Sequence, residues 1–332
     1  MADKRYDVVG IGNAIVDIIA RCDEGFITKH DLAKGSMRLI DADEANRLYA
    51  AMGPAIERSG GSVANAISGL ASFGAKCGFI GRVAVDQFGG IFRHDIRSLG
   101  VAYDTSPAVD GAPTARCLIL VTPDGERTMN TFLGASVDFR PEDLDLGLIE
   151  AAKIVYLEGY LFDRDAAKSA FREAARAAKH AGAKVALTLS DAFCVDRHRD
   201  DFRALVRDGA DIVFANEMEI SSLYRVNSFQ EAADAALQDC EMAVLTRSEA
   251  GSVIVAQGET IEIEADPARV VDLTGAGDLY SAGFLYGLTQ GAPLAACGRL
   301  GSLAAAEAIS HIGARPEVSL RKLAKQNGVI PD

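Results

Sequence analysis

This 332-residue sequence lacks paired cysteines, long apolar runs, an excess of basic residues and any phosphate-binding P-loop. Its six cysteines, at 22, 77, 117, 194, 240 and 297, lie far apart with no C-x-x-C spacing. That pattern excludes a paired-thiolate zinc site and a disulfide framework, and it suits a reducing compartment. Cys194 and His198 stand close in sequence, but no second ligand pair accompanies them. No window reaches the roughly 18 uninterrupted apolar residues of a membrane span. The N-terminal apolar run is broken by Asn13 and Asp17 and lacks a small-residue cleavage site, so the expected location is the cytoplasm. Lys and Arg number 34 against 47 Asp and Glu, a net charge of −13. Nucleic acid and anionic membranes, which select basic surfaces, are thereby disfavoured as partners. A phosphate-rich ligand would need local donors: helix-start N–H groups, a bound cation or a placed Arg.

What is present is ordinary globular material, 49% apolar and 24% charged, enough to bury a substantial core. With no tandem repeat, low-complexity tract or Ser/Pro-rich linker, residues 1–332 are expected to form one domain. Short β-branched runs predict strands over 7–11, 77–80, 153–157, 184–189, 211–215, 242–246 and, more loosely, 269–271. Helical spacing predicts helices over 62–73, 87–99, 165–180, 217–224, 229–238, 276–289 and 294–310. Strand–helix alternation of this kind argues for a mostly parallel sheet covered by helices on both faces. Two hairpins, within 116–132 and 251–264, depart from the alternation. The segments 13–50 and 101–136 are expected to form a small β lid.

Five motifs carry chemistry, each with a plainer alternative. Gly10-Ile11-Gly12-Asn13-Ala14-Ile15 starts like a dinucleotide fingerprint, but Ile15 stands where its third glycine is required. Asp272-Leu273-Thr274-Gly275-Ala276-Gly277-Asp278 precedes an apolar helix, so its glycines could expose N–H groups as an anion cradle beside a carboxylate able to take a proton. Equally, Thr274 could be a helix cap and the glycines a turn. Gly60-Gly61-Ser62-Val63-Ala64-Asn65 is a second glycine pair entering a helix, either a capped turn or a place where a ligand meets the backbone and Asn65. Asn216 and Glu219 have the spacing of a capping box and also of a carboxylate holding a water-clad Mg²⁺. Arg127, beside the Asp124-Gly125-Glu126 turn, is either solvated or, on a mobile lid, able to close on phosphate.

Taken together and in this order, these residues resemble the PfkB, or ribokinase-like, family of carbohydrate and nucleoside kinases. DLTGAGDLYSAGFLYGL is similar to the family's C-terminal signature, GGSVANAISGLASFGAKCGFIGRVAVDQFG to its N-terminal one, and NEME to its N-x-x-E motif. The resemblance implies a ribokinase-like α/β three-layer sandwich with a small β lid, and ATP- and Mg²⁺-dependent phosphorylation of a primary hydroxyl. By position it makes Asp278 the base and Gly275, Ala276 and Gly277 the anion hole. Arg127 becomes the phosphate-facing lid residue. Asn13, Asp17, Gly61, Ser62 and Asn65 become acceptor ligands. Asn216, Thr246, Arg247, Gly251, Gly275 and Gly277 become the ATP site, and Glu219 a Mg²⁺ ligand through water. The family's frequent T-x-G reads here Thr246-Arg247-Ser248, with the glycine displaced to Gly251. Some members hold a monovalent cation such as K⁺, which would lie near Asp272 and residues 309–315.

GNAIVDI and DGERTMNTFLGAS look most like the adenosine kinases, whose acceptor is the 5′-hydroxyl of adenosine. Tyr160 and Phe162, just after a strand, are then candidates for stacking on a purine, against the plainer expectation of core packing. The alternative acceptor is a free sugar such as ribose, fructose or a ketodeoxy acid, held by the same Asn and Asp. A silent sensor that keeps the kinase fold would be expected to lose the base or the glycines, all of which are present. Both a monomer and a homodimer are compatible with the pattern.

Overall fold

The computed structural model describes residues 4–256 and 258–331. Its strands in chain order are β1 (Tyr6–Ile11), β2 (Ile15–Arg21), β3 (Met37–Leu39), β4 (Ala55–Gly60), β5 (Cys77–Ile80), β6 (Ala115–Val121), β7 (Arg127–Phe132), β8 (Ala152–Glu158), β9 (Lys184–Thr188), β10 (Ile212–Asn216), β11 (Met242–Thr246), β12 (Ser252–Ala256) and β13 (Glu259–Ile263).

Eight of these form one sheet, in the order β13-β12-β11-β10-β9-β8-β1-β5. From β5 to β11 every pairing is parallel, and β12 and β13 add an antiparallel edge. Successive residues in a strand face opposite sides, and here both sides are apolar. Val8, Tyr156, Phe214 and Val244 pack into one buried cluster with the helices Ser62–Phe73, Ala276–Thr289 and Leu294–Ala308. Val9, Val155, Val213 and Leu245 pack into another with the helices Asp165–His180, Ala192–Asp208, Glu217–Tyr224 and Phe229–Asp239. Uninterrupted apolar strands are therefore what a sheet covered on both faces requires. β1 lies between β5 and β8, so the chain reverses its direction of winding at β1, and open parallel sheets bind ligands outside the carboxyl ends of strands at such a point.

The remaining strands form a smaller sheet, β3-β7-β6-β2-β4, with β6 and β7 as an antiparallel hairpin and β2 parallel to β6. One face buries Val16, Ile18, Leu118 and Leu120 in the first cluster, together with Ile27 and Leu48 of two short helices. The other face carries Ile15, Asp17, Cys117, Ile119 and Met129 toward the carboxyl ends of the large sheet. Asp17 was legible as a break in an apolar run, whereas β2 was not, because a strand with apolar residues on both faces shows little alternation. The 17-residue helix Ala192–Asp208 also escaped the sequence reading. It is rich in Asp and Arg, and it kinks at His198, where φ is −124° and ψ 27°. Residues 269–271 form no strand. Val271 and Asp272 instead donate their N–H groups to the Ile309 carbonyl, tying the glycine loop to the C-terminal end of the later helix Leu294–Ala308.

Candidate active site

A cavity of about 670 Å³ lies between the two sheets, over the carboxyl ends of the parallel strands. The ends of β1, β8, β9, β10 and β11 supply Asn13, Glu158, Thr188, Asn216 and Thr246 to its wall. The first turns of two helices, Ser62–Phe73 and Ala276–Thr289, meet in it. Ser62 Oγ donates to Asp278 Oδ1 at 2.6 Å, and Asn65 Nδ2 to Asp278 Oδ2 at 3.0 Å. Burial pushes the Asp278 carboxyl up to about 6, and those two donors pull back against it. A carboxylate so poised is able to accept a proton near neutral pH.

Beside it, Gly275 caps its helix in the left-handed region, at φ 80°. The N–H groups of Gly277 and Asp278 fall in the first turn, where no intrahelical acceptor exists. A methyl built on Gly277 would meet nothing within 4 Å, so there is open space at this helix start. The helix dipole adds positive potential at the same end, which makes the loop a cradle for an anion. The second glycine pair is equally constrained. Gly61 has φ 104°, and a side chain there would strike the Asn13 carbonyl oxygen, while one on Gly60 would strike the Asp17 carboxylate.

A base beside an anion cradle, at the switch point of a parallel sheet, is an arrangement with known relatives. The profile of the pfkB family carbohydrate kinases matches residues 39–320. The chain belongs to that family. As a pfkB-family kinase it is a phosphotransferase acting on a hydroxyl of a sugar or nucleoside, and its fold is the ribokinase-like α/β sandwich. A probable sugar kinase from Rhizobium etli CFN 42 superposes with a TM-score of 0.90 at 50% identity, over 98% of this chain and 100% of that one. An adenosine kinase from Sinorhizobium meliloti gives 0.89 at 51% identity, over 97% and 99%. A 5-dehydro-2-deoxygluconokinase from Shouchella clausii is 25% identical over 319 residues, 92% of this chain and 90% of that relative.

The kinase's cavity also brings together Asn13, Asp17, Gly61, Ser62, Asn65, Tyr160, Asn216, Glu219, Thr246, Gly275, Ala276 and Gly277. Burial raises Asp17 to about 6, opposed by Arg315, Arg127 and Arg58. Glu219 rises to about 7 through burial, with the negative charges of Asp191 and Asp278 adding to it. Its two oxygens accept from Asn216 N at 3.0 Å and Nδ2 at 2.7 Å, and Asn216 Oδ1 accepts in return from Glu219 N at 2.9 Å. The capping box is thus real, and it leaves each Glu219 oxygen a second lone pair. Among the described residues no cluster of three His, Cys, Asp or Glu side chains is arranged to hold a metal. Mg²⁺ beside phosphates draws most of its ligands from phosphate and water, and Glu219 fits that outer role.

Two expectations are corrected, those for Phe162 and Arg127. Phe162 does not face the cavity. It is 2% exposed, stacked on Phe202 at 4.1 Å and edge-on to Phe171 at 5.7 Å, a core residue because the 3₁₀ turn Gly159–Asp163 turns the neighbouring side chains of Leu161 and Phe162 inward. Tyr160, two residues earlier, remains 39% exposed on the cavity wall. Arg247 and Gly251 stand outside the wall. Arg247 bonds Glu217 at 3.2 Å and lies over the Phe229 ring, and Gly251, at φ 81°, closes the turn into β12. Arg127 is not a free fork on a mobile turn. Its side chain is 8% exposed and pairs with Asp272 at 2.7 Å, with a longer bond to Thr274 Oγ1 at 3.3 Å, which ties the small sheet to the anion cradle. Asp272 also accepts from Thr274 N and Gly313 N, so its carboxylate is spent on protein donors.

One residue that the sequence reading passed over is Glu158, which is 1% exposed at the end of β8. Its signal was present: a carboxylate closing the apolar run Ile154–Leu157, at the carboxyl edge where parallel sheets place their sites. The paired glycines that imitate a dinucleotide fingerprint have packing reasons instead. A side chain on Gly10 would enter Val63 and Ile67, and one on Gly12 would enter Glu158.

Proposed function

We propose that this kinase transfers the γ-phosphoryl group of ATP to the 5′-hydroxyl of adenosine, giving AMP. The observation that carries the reading is the Ser62–Asp278–Asn65 arrangement beside the Gly275–Asp278 cradle, one end of a cavity whose other wall is apolar. Met37, Leu39, Ile119, Met129, Phe193 and Leu273 line that wall, and Met37, Leu39, Phe193 and Leu273 are more than half exposed. A purine ring offers such a surface a flat apolar face, with Tyr160 available to stack; a free sugar does not. The 51% identity to an adenosine kinase over nearly the whole chain supports the same acceptor.

Asp278 takes the proton of the attacking hydroxyl, and the Gly277 and Asp278 N–H groups meet the charge on the transferring group. Catalysis of this kind is positioning and electrostatics, with little covalent work for the protein. Mg²⁺, when bound, neutralises phosphate charge, and Asn216 and Glu219 would hold its water shell. Asp17, Asn13 and Asn65 accept hydrogen bonds from the acceptor's other hydroxyls. Arg127 acts through Asp272 and Thr274, keeping the cradle in shape. The small sheet, covering the site as a lid, excludes water that would compete as acceptor.

A sugar acceptor is the second reading, favoured by the Rhizobium etli and Shouchella clausii relatives' names. ADP release with ATP and Mg²⁺ against adenosine, other nucleosides, ribose, fructose and 5-dehydro-2-deoxygluconate separates the two. Turnover on adenosine, with little on free sugars, is expected, together with a loss of about 10²–10⁴-fold in Asp278→Asn. Turnover on a sugar alone would remove the purine from the reading and leave the base in place.

A further inference from the structure

Glu158 has a carboxylate buried without a cation. The groups that act to keep it ionised are N–H donors, while burial and Asp278 push the other way, to about 7. Its Oε1 accepts from Asn13 Nδ2 at 2.7 Å, and its Oε2 accepts from Val63 N at 2.9 Å and Asn13 N at 3.3 Å. Three segments thus meet on one side chain: the end of β1, the end of β8, and the first turn of the helix that carries Ser62 and Asn65.

Two consequences follow from the donor and acceptor inventory. An amide whose Nδ2 is committed to a carboxylate must turn its Oδ1 the other way. Asn13 Oδ1 is buried and unpartnered, and so is Asn65 Oδ1, whose own Nδ2 is committed to Asp278. Both residues line the cavity, so each brings an unpartnered amide oxygen to its wall. The bond from Val63 N also fixes the rotation of the helix that places Ser62 and Asn65 on Asp278.

We propose that Glu158 is a positioning residue for this kinase: by holding Asn13 and the start of the 62–73 helix together, it sets the hydroxyl-accepting face of the cavity and the geometry around Asp278. This rests on the reading of the cavity as the site of a polyhydroxylated acceptor and is independent of whether that acceptor carries a purine.

The test compares wild type, Glu158→Gln, Glu158→Asp, Asn13→Ala and the Glu158→Gln/Asn13→Ala double variant, on whichever acceptor of the panel the wild type phosphorylates. A Gln side chain keeps one acceptor oxygen and puts an NH2 in place of the other, so it cannot accept from Asn13 Nδ2 and from Val63 N at once, and it carries no charge to strengthen the bond that it keeps. Acceptor KM in Glu158→Gln is expected to rise about 10- to 100-fold, the usual consequence of losing charged hydrogen bonds, with a smaller fall in kcat and an unchanged Kd for ATP. Glu158→Asp, which keeps the charge and shortens the reach, should fall between. If Glu158 acts through Asn13, the double variant's acceptor KM should lie within about threefold of Asn13→Ala alone. Acceptor kinetics equal to wild type in Glu158→Gln would overturn the proposal, and so would additive effects in the double variant. Amide hydrogen exchange at Val63 is read without any acceptor, and faster exchange in Glu158→Gln and Glu158→Asp is expected. Unaltered protection there would also overturn it. A wild type inactive on the whole panel would count against the kinase-acceptor reading alone, since the exchange result stands apart from it.

Discussion

At the scale of single residues, the candidate active site is built from carboxylates held against their preference for water. Asp17 and Asp278 rise to about 6, and Glu158 and Glu219 to about 7, in each case chiefly through burial. For Asp278 the folded value lies above the ordinary 3.8, so the folded state binds the extra proton. Its contribution to stability is therefore full below about pH 4 and is lost as pH rises through about 6. Catalysis has the opposite sign, since only the ionised group accepts a proton. kcat/KM should climb with pH and level off above about 6. Asp278→Asn should abolish that limb along with most of the turnover, yet be more stable than wild type by on the order of 2 kcal/mol at pH 8, the difference vanishing near pH 4. Thermal denaturation across pH, beside a pH–rate profile of the wild type, checks both halves. A variant no more stable at pH 8 would show that the Ser62 and Asn65 bonds outweigh the burial.

At the scale of elements, two glycines one residue apart have different tasks. Gly275 has φ 80°, and a methyl there would press on Ala314, so Gly275→Ala meets both backbone strain and a clash. It should cost about 1–3 kcal/mol of stability, read by urea denaturation. Gly277 has ordinary helical space around it, and Gly277→Ala should leave stability within about 0.5 kcal/mol. Its methyl, however, would enter the open space beside the proposed cradle. The expected result is a raised KM for ATP and a lowered kcat in a fully folded protein. Equal ATP kinetics in Gly277→Ala and wild type would move the phosphate away from this helix end. The two helix starts were legible because a Gly pair before an apolar run has few other meanings. β2 and the 192–208 helix were not, one having apolar residues on both faces and the other being polar around a kink.

At the scale of the whole molecule, the small sheet is joined to the large one across the site by a buried ion pair. Arg127 on β7 and Asp272 on the glycine loop are 8% and 4% exposed, 2.7 Å apart. Removing one partner leaves an uncompensated buried charge, a loss of about 3–5 kcal/mol. Asp272→Asn should show that loss in urea denaturation, and Arg127→Met in the same chain should recover part of it. A second buried arginine, Arg315, reaches back to Ser59 at the end of β4, so the C-terminal segment also braces the strand that leads into Gly60 and Gly61. Acceptor-side residues and the anion cradle are thus mechanically connected rather than independently placed.

The sequence by itself determined the family, through the resemblance of its motifs, and the parallel sheet, and it marked Asp278 and the glycine loop as the candidate base and anion cradle. Each is written in local chemistry: apolar runs of strand length, glycines before a helix, an Asp directly after them. It also placed Asn13, Asp17 and Asn65 among candidate ligands, because polar residues within apolar runs require partners. Only the tertiary structure decided which way neighbouring side chains face. Phe162 went to the core and Tyr160 to the cavity, although both follow the same strand. Arg127 went to a buried carboxylate 145 residues away in sequence, at Asp272, rather than to open solvent. Glu158 gained its place by meeting Asn13 and Val63, contacts that arise only when β1, β8 and the 62–73 helix converge. Burial and partner geometry are sums over distant segments, and no local pattern encodes them.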